Sequence, residues 1–299
     1  MNTSEKSYKA HEEALQRKLE ESGEALIGGF ESYEETLDAW RHQRMIAPFK
    51  PIVEKENGSW ITVGDGKGWD AARLHRLGLD NITATDLNTG LLEISKKKGL
   101  ISDFRAENAE ALSSNDNSVD IVFCKESFHH FPRPYIGLYE MLRVARKAVL
   151  LIEPRDYLID HGPVRLSGPI GMIKGLRVWA RNRLNIKMKD CSLASRFLLG
   201  DKPHYEEVGN YMYSISSREI EKVSLGLNLP SIALNGVNDH FEPRLVRHAA
   251  DESVPEFQNL KKRLDDADKK NSAGIGSSSL LLAIIFKEAP SDDLRSHLS

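Results

Sequence analysis

The sequence predicts an α/β protein: a doubly wound, mostly parallel seven-stranded sheet, with helices in front of it and a helical insertion in its second half. Three observations carry that reading. Short apolar runs alternate with helix-length amphipathic segments between residues 60 and 152, the pattern of a parallel sheet wrapped by crossover helices. The first of these runs passes directly into three closely spaced glycines, Gly64, Gly66 and Gly68. Residues 280–286 form an unbroken apolar heptapeptide, which reads as a strand buried on both faces.

Taken in order, residues 1–50 read as a helical lead-in that could lie over a site. Glu and Lys/Arg are mixed from Glu5 to Glu21, Gly28 and Gly29 break the pattern, and Ser32 with Glu35 has the spacing of a capping box. Tyr33, Leu37 and Trp40 then repeat at helical spacing until Pro48, which is expected to stop the run. Strands are expected at 60–63, 82–85, 104–106, 121–124 and 148–152, and helices at 71–77, 91–98 and 134–146. The last of these opens on Pro134, which suits a first helical turn. Ligands of such sheets sit beyond the carboxyl ends of the strands, so the residues following each strand are the functional candidates.

Alternation stops after Glu153. Residues 155–202 hold ten Lys/Arg against four Asp/Glu, a local excess of six positive charges, and 155–215 reads as a basic helical cap. A second capping box, Ser216 with Glu219, opens a helix; a strand at 231–234, a charged helix at 255–270 and a strand at 279–287 follow. The tail from Pro290 is polar and expected to be loose. The chain thus divides into a lead-in (1–50), a first half of the core (51–154), the cap (155–215), a second half of the core (216–289) and a flexible tail (290–299).

Composition narrows the class. With 40% hydrophobic and 28% charged residues among 299, this is an ordinary globular chain, and no apolar run approaches the ~20 residues of a membrane span. A net charge of -3 gives no global attraction to nucleic acid. Two cysteines, Cys124 and Cys191, cannot make a disulfide framework, and the N-terminus lacks a signal-peptide core, so a cytoplasmic location is expected.

The chemistry begins at residues 61–69. A strand entering Gly64-x-Gly66-x-Gly68 and then a helix lets backbone approach a ligand closely, although a glycine turn can be purely structural. Asp86, at the end of the second strand, adds a carboxylate able to accept both hydroxyls of a ribose. Dinucleotide folds want G-x-G-x-x-G, and here Trp69 stands where the third glycine belongs, which argues against NAD.

From residue 60 to 154 the chain resembles the class I S-adenosylmethionine-dependent methyltransferases. The matching features are the loop Val63, Gly64, Asp65, Gly66, Lys67, Gly68; Asp86 followed by Leu87 and Asn88; the turn Asn108-Ala109-Glu110-Ala111-Leu112; a fourth strand from Asp120 to the pair His129, His130; and Arg143-Val144. The resemblance implies a Rossmann-like methyltransferase fold with S-adenosyl-L-methionine as cofactor. It places the methionine part on the glycine loop, the ribose on Asp86 and Leu87, the adenine on Asn108 and Ala109, and Lys125 at the cofactor edge of the fourth strand. Two departures stand out: the family's acid two positions before the first glycine is Thr62 here, and Asp65 stands inside the loop, where it is expected to contact the methionine ammonium instead. Asn108 in place of the customary Asp keeps an acceptor for the adenine amine.

Methyl transfer to a hydroxyl needs a base. His129 and His130 are candidates, though the resemblance implies that the second histidine of such a pair is often a packing residue; Glu153 is another, also readable as a strand-end carboxylate bonded to nearby backbone. His161, His204 and His240 read as surface residues. The sequence after the fourth strand, Cys-Lys-Glu-Ser, lacks the Pro-Pro-Tyr turn used on adenine or glutamine nitrogens, and no metal site is expected. The cap is either an acceptor site for an anionic or glycan-like molecule, with Tyr205, Tyr211 and Tyr213 to stack on it, or a solvated amphipathic helix. The expected function is O-methylation of a small-molecule or glycan acceptor. An RNA methyltransferase, a nicotinamide-dependent oxidoreductase and a silent binding protein of the same fold remain as alternatives, and the oligomeric state is open.

Overall fold

The structure is a computed structural model and describes residues 35–156, 160, 212–242, 244–245, 248–270 and 278–298, with 8–10, 12–14, 16–17, 19–21 and 27 of the lead-in. Its strands are β1 (Trp60–Val63), β2 (Ile82–Asp86), β3 (Asp103–Ala106), β4 (Val119–Lys125), β5 (Ala145–Pro154), β6 (Ser231–Val237) and β7 (Leu280–Phe286). They form one seven-stranded sheet in the order β3-β2-β1-β4-β5-β7-β6. The pairs from β3 through β5 are parallel, and β7 runs antiparallel to both β5 and β6. Strand order reverses between β1 and β4, which places the crevice of the fold there.

The helices are α1 (Leu37–Ile46), α2 (Lys50–Lys55), α3 (Trp69–Arg76), α4 (Gly90–Lys97), α5 (Pro134–Val144), α6 (Ser217–Gly226), α7 (Pro255–Lys270) and α8 (Asp292–Leu298). Strand periodicity divides the core into two layers. On β7, Leu280, Leu282, Ile284 and Phe286 join one cluster with α1, α2 and α3, while Leu281, Ala283 and Ile285 join the other with α5 and α6. The apolar heptapeptide is therefore buried on both faces because helices cover both.

Several expectations change. Ser32 lies outside the described residues, and α1 opens five residues later, N-capped by Thr36, whose side chain accepts from Ala39 N–H. Pro48 does not end the lead-in. It sits at the start of a 3₁₀ turn (Ala47–Phe49), and Pro51 at the start of α2, positions where a missing N–H costs little, so Phe49, Ile52 and Val53 still reach the core. The helix expected to run to 146 stops at Val144, and β5 begins at the next residue because Ala145 is already extended. The tail expected to be loose is helix α8, with Leu294 buried in the core and Asp293 paired with Lys55 on α2. Acids in its first turn and Arg295 and His297 in its last suit the helix dipole.

The second capping box forms as read: Ser216 accepts from Glu219 N–H, and the Glu219 carboxylate accepts from Ser216 N–H (2.9 Å). Nearly all of the basic cap, with His161, His204, Tyr205, Tyr211 and Cys191, lies outside the described residues. Of its ten cations Arg155 is described. It is buried at the root of the segment against Asp160 (2.6 Å), so its charge is compensated there.

Candidate functional site

The loop after β1 is built on left-handed backbone. Gly64, Gly66 and Gly68 have φ of 72°, 55° and 74°, where a side chain is strained. At Gly64 a Cβ would also overlap the Ser127 hydroxyl. At Gly66 a Cβ would meet nothing within 4 Å, so the loop leaves open space over its centre. The Asp86 carboxylate closes that loop: Oδ2 accepts Gly66 N–H (2.8 Å) and Oδ1 accepts Asn88 N–H (3.0 Å). Leu87 beside it is exposed.

The third strand lies next to this edge, with Asp86 in register with Ala106. Two residues beyond, Asn108 Oδ1 accepts Glu110 N–H (2.9 Å), and Ala109 is buried beneath the turn. Asn108 keeps a second lone pair on that oxygen. The Glu110 carboxylate accepts from Arg133 N–H and Nε–H, each at 2.7 Å, and so ties this turn to the start of α5. The lead-in approaches the same edge: Leu19 stands where a side chain on Gly90 would go, and the Tyr8 phenol is pushed up by burial and by Glu110. S-adenosyl-L-methionine fits this edge on two counts, the open cradle at Gly66 and an acceptor pair at the end of β2 for a ribose diol.

Thr62 and Asp65, the two departures from the family pattern, meet each other. Thr62 Oγ1 donates to Asp65 Oδ2 (2.8 Å), which also accepts Ala71 N–H (2.9 Å), while Oδ1 accepts Asp70 N–H (3.0 Å). Gly68, the N-cap of α3, has no side chain, and Asp65 caps the helix in its place. Burial, then the Asp70 carboxylate, push Asp65 up to about 7, against the hydrogen bonds it accepts.

A raised folded-state pKa has a definite sign. The stability it contributes is complete below the unfolded value and is lost as pH rises through the folded one. Asp65→Asn keeps a cap and removes the charge. Urea unfolding of variant and wild type from about pH 5 to about pH 8 should therefore show the difference moving in the variant's favour as pH rises. A difference that stays flat across this range excludes the titration.

At the carboxyl ends of β4 and β5 the candidate bases come together. Glu153 is 0% exposed. Its Oε1 accepts Ser127 N–H (3.0 Å) and Phe128 N–H (2.9 Å), and its Oε2 lies 2.7 Å from His129 Nδ1. Both readings of Glu153 thus have a geometric basis: it holds backbone, and it holds a histidine. His130 packs against His129, the rings inclined at 45° with centres 3.9 Å apart. Cys124 lies beneath, its thiol pushed up by burial and by the charge of Glu153. Tyr213 N–H donates to His129 O, bringing the end of the cap segment to this corner. His240 lies apart, 3.6 Å from Glu242 and partly exposed.

Lys125, the last residue of β4, is buried; its Nζ donates to Glu126 Oε2 (2.9 Å) and lies 3.5 Å from Asp70. Glu126 has φ of 50°, an uncommon conformation for a residue with a side chain, at the crevice where such strain tends to gather. Sequence reasoning missed what α1 adds. Arg41 is buried, pairing with Asp38 (2.6 Å) and with Asp239 after β6, and His42 lies beside Glu126. The available signal was a charge inside an apolar stripe, since Leu37, Arg41 and Met45 share one helix face.

Residues 61–152 match the sequence model of a family described as a methyltransferase domain. A curated relative, a demethylmenaquinone methyltransferase from Renibacterium salmoninarum, is 31% identical over 105 residues, which are 35% of this chain and 44% of that protein. The match thus spans less than half of the relative's length. Among solved structures, a SAM-dependent methyltransferase from Thermotoga maritima is 12% identical with a TM-score of 0.45, covering 89% of this chain and 97% of the other. One from Aquifex aeolicus is 24% identical with a TM-score of 0.34, covering 42% and 74%. Likenesses of that size carry no assignment of activity.

Proposed function

We propose that this chain, whose residues 61–152 are a class I S-adenosylmethionine-dependent methyltransferase domain, methylates an oxygen of a small-molecule or glycan acceptor, with His129 as the base. The observation that carries the base assignment is the His129 Nδ1 to Glu153 Oε2 distance of 2.7 Å between two buried groups. When bound, S-adenosyl-L-methionine supplies a methyl group on a sulfonium, which needs no activation by the protein.

The rest falls to the chain. The loop around Gly66 and the Asp86 carboxylate hold the nucleoside and thioether; Leu87, Asn108 and Ala109 border the adenine. An ionised Glu153 can only accept, so it takes the Nδ1–H of His129 and leaves Nε2 as the ring's acceptor. Nε2 is then the atom that removes the acceptor's proton as the hydroxyl attacks. Glu153 is a positioning residue in this scheme, and His130 packs on the base. A hydroxyl needs such help where a neutral amine does not, which is why the dyad favours oxygen. The curated relative's name concerns demethylmenaquinone; its match covers 35% of this chain, so that acceptor is not carried over. The cap segment borders the corner through Tyr213 and is where acceptor selection is placed.

Calorimetry with S-adenosylhomocysteine and NAD tests the cofactor, and heat from NAD alone removes this reading. A labelled-methyl screen over sugars, lipid-linked glycans, phenols and RNA identifies the acceptor class. With an acceptor found, His129→Gln should lower kcat by ~10²–10⁴-fold with S-adenosylhomocysteine affinity unchanged. Wild-type kcat in that variant excludes His129 as the base.

A further inference from the structure

The crevice between β1 and β4 holds a histidine that neither the cofactor edge nor the base corner uses. His42 Nδ1 is buried and makes no hydrogen bond. Glu126 Oε2 lies 3.9 Å from it, and Asp38 Oδ2 lies 3.7 Å from Nε2, both beyond hydrogen-bonding distance. Buried polar atoms in native proteins nearly always have a partner, so an orphan in a crevice points to something that binds there.

The surroundings indicate what it is. Each nearby acid has a cation against it: Asp38 (2.6 Å) and Asp239 share Arg41, Asp70 pairs with Arg73 (2.7 Å) and Glu126 with Lys125 (2.9 Å). After burial, the largest charge effects on His42 all come from cations, Lys125, Arg73, Arg41 and Lys67, and together these hold its pKa well below the usual histidine range. The ring is therefore neutral, with one N–H to give, in a field that favours an anion. Lys125, with three N–H donors and one hydrogen bond to Glu126, has further capacity. A planar, singly charged acceptor suits one imidazole N–H and one ammonium. A phosphate dianion would call for more uncompensated cations.

We propose that His42 and Lys125 form a subsite, roofed by α1, for a carboxylate group of a ligand bound against the glycine loop. The proposal rests on the methyltransferase reading, which supplies two sources: the methionine carboxylate of the cofactor, or a carboxylate on the acceptor.

Calorimetry with S-adenosylhomocysteine and 5′-methylthioadenosine separates them, because the second has the same nucleoside and thioether but no amino-acid group. If the cofactor carboxylate binds here, His42→Ala weakens S-adenosylhomocysteine by about tenfold or more and leaves 5′-methylthioadenosine unchanged, and His42→Gln, which restores an N–H, recovers part of the loss. If the acceptor's carboxylate binds here, S-adenosylhomocysteine affinity is unchanged. Sodium acetate titrated into the S-adenosylhomocysteine complex then shifts the His42 ring signals saturably in NMR spectra, and the His42→Ala protein shows no saturable acetate binding. Equal weakening of both nucleosides, or no change in either together with a silent acetate titration, overturns the proposal. Should wild type bind neither nucleoside, the methyltransferase reading falls instead, and acetate titration of the free protein decides the subsite alone.

Discussion

Glu153→Ala should destabilise the protein by ~3–5 kcal/mol, the range for removing one member of a buried, hydrogen-bonded polar pair. The reason is the number of donors left behind. Ser127 N–H, Phe128 N–H and the His129 ring all point at one carboxylate with no solvent exposure. Each buried donor left unpaired costs ~1–3 kcal/mol, and water entering the vacated space would offset part of the sum. Glu153→Gln separates architecture from chemistry. Its carbonyl oxygen can still accept both backbone amides, so stability should stay within ~1–2 kcal/mol of wild type. Its amide, however, presents N–H to His129 and forces the tautomer with the proton on Nε2, so kcat should fall by ~10²–10⁴-fold. Urea unfolding and single-turnover methyl transfer read the two effects separately. A Glu153→Ala protein as stable as wild type refutes the burial argument, and a Glu153→Gln enzyme at full rate removes the dyad.

What the sequence disclosed follows a physical line. Strands buried on both faces are legible because their residues are apolar, Thr62 excepted: the sequence places β1 to the residue, and β7 to within one at each end. The sequence marks β4 and β5 short at both ends, because Asp120, Arg146 and Lys147 interrupt the apolar signal at their amino ends and Lys125, Glu153 and Pro154 end it at the other. The charged helix Pro255–Lys270 was read in full from its proline start and polar length. Helix α8 was missed because it is docked mainly by one buried leucine, too little for a periodic pattern.

The candidate site divides the same way. That Gly64 and Gly66 form a turn after β1, and that Asp86 and Asn108 follow the next two strands, is legible because local motifs place them. That Thr62 would donate to Asp65, or that Glu153 would hold the backbone after β4, depends on strand order and was invisible. The contribution of α1 was hidden further, since Arg41 and His42 meet partners more than eighty residues away in sequence, Asp239 and Glu126.

Asp86→Ala should weaken S-adenosylhomocysteine by about 100-fold, the equivalent of ~2.7 kcal/mol. Two effects combine. An ionised carboxylate accepting both hydroxyls of a ribose makes charge-assisted hydrogen bonds worth ~1.5–3 kcal/mol. The same carboxylate fixes Gly66 N–H at 2.8 Å and Asn88 N–H at 3.0 Å, so its removal also loosens the glycine loop. The fold should tolerate the change, because Asp86 is partly exposed and both amides can turn to water. Asp86→Asn keeps one acceptor and should lose ~10-fold. An analogue lacking both ribose hydroxyls separates the two effects: the part of the loss that comes from the diol disappears with it, and the part that comes from the loosened loop persists. If Asp86→Ala binds S-adenosylhomocysteine as wild type does, the ribose is not held at the end of β2, and the orientation of the nucleoside along this edge must be reversed or abandoned.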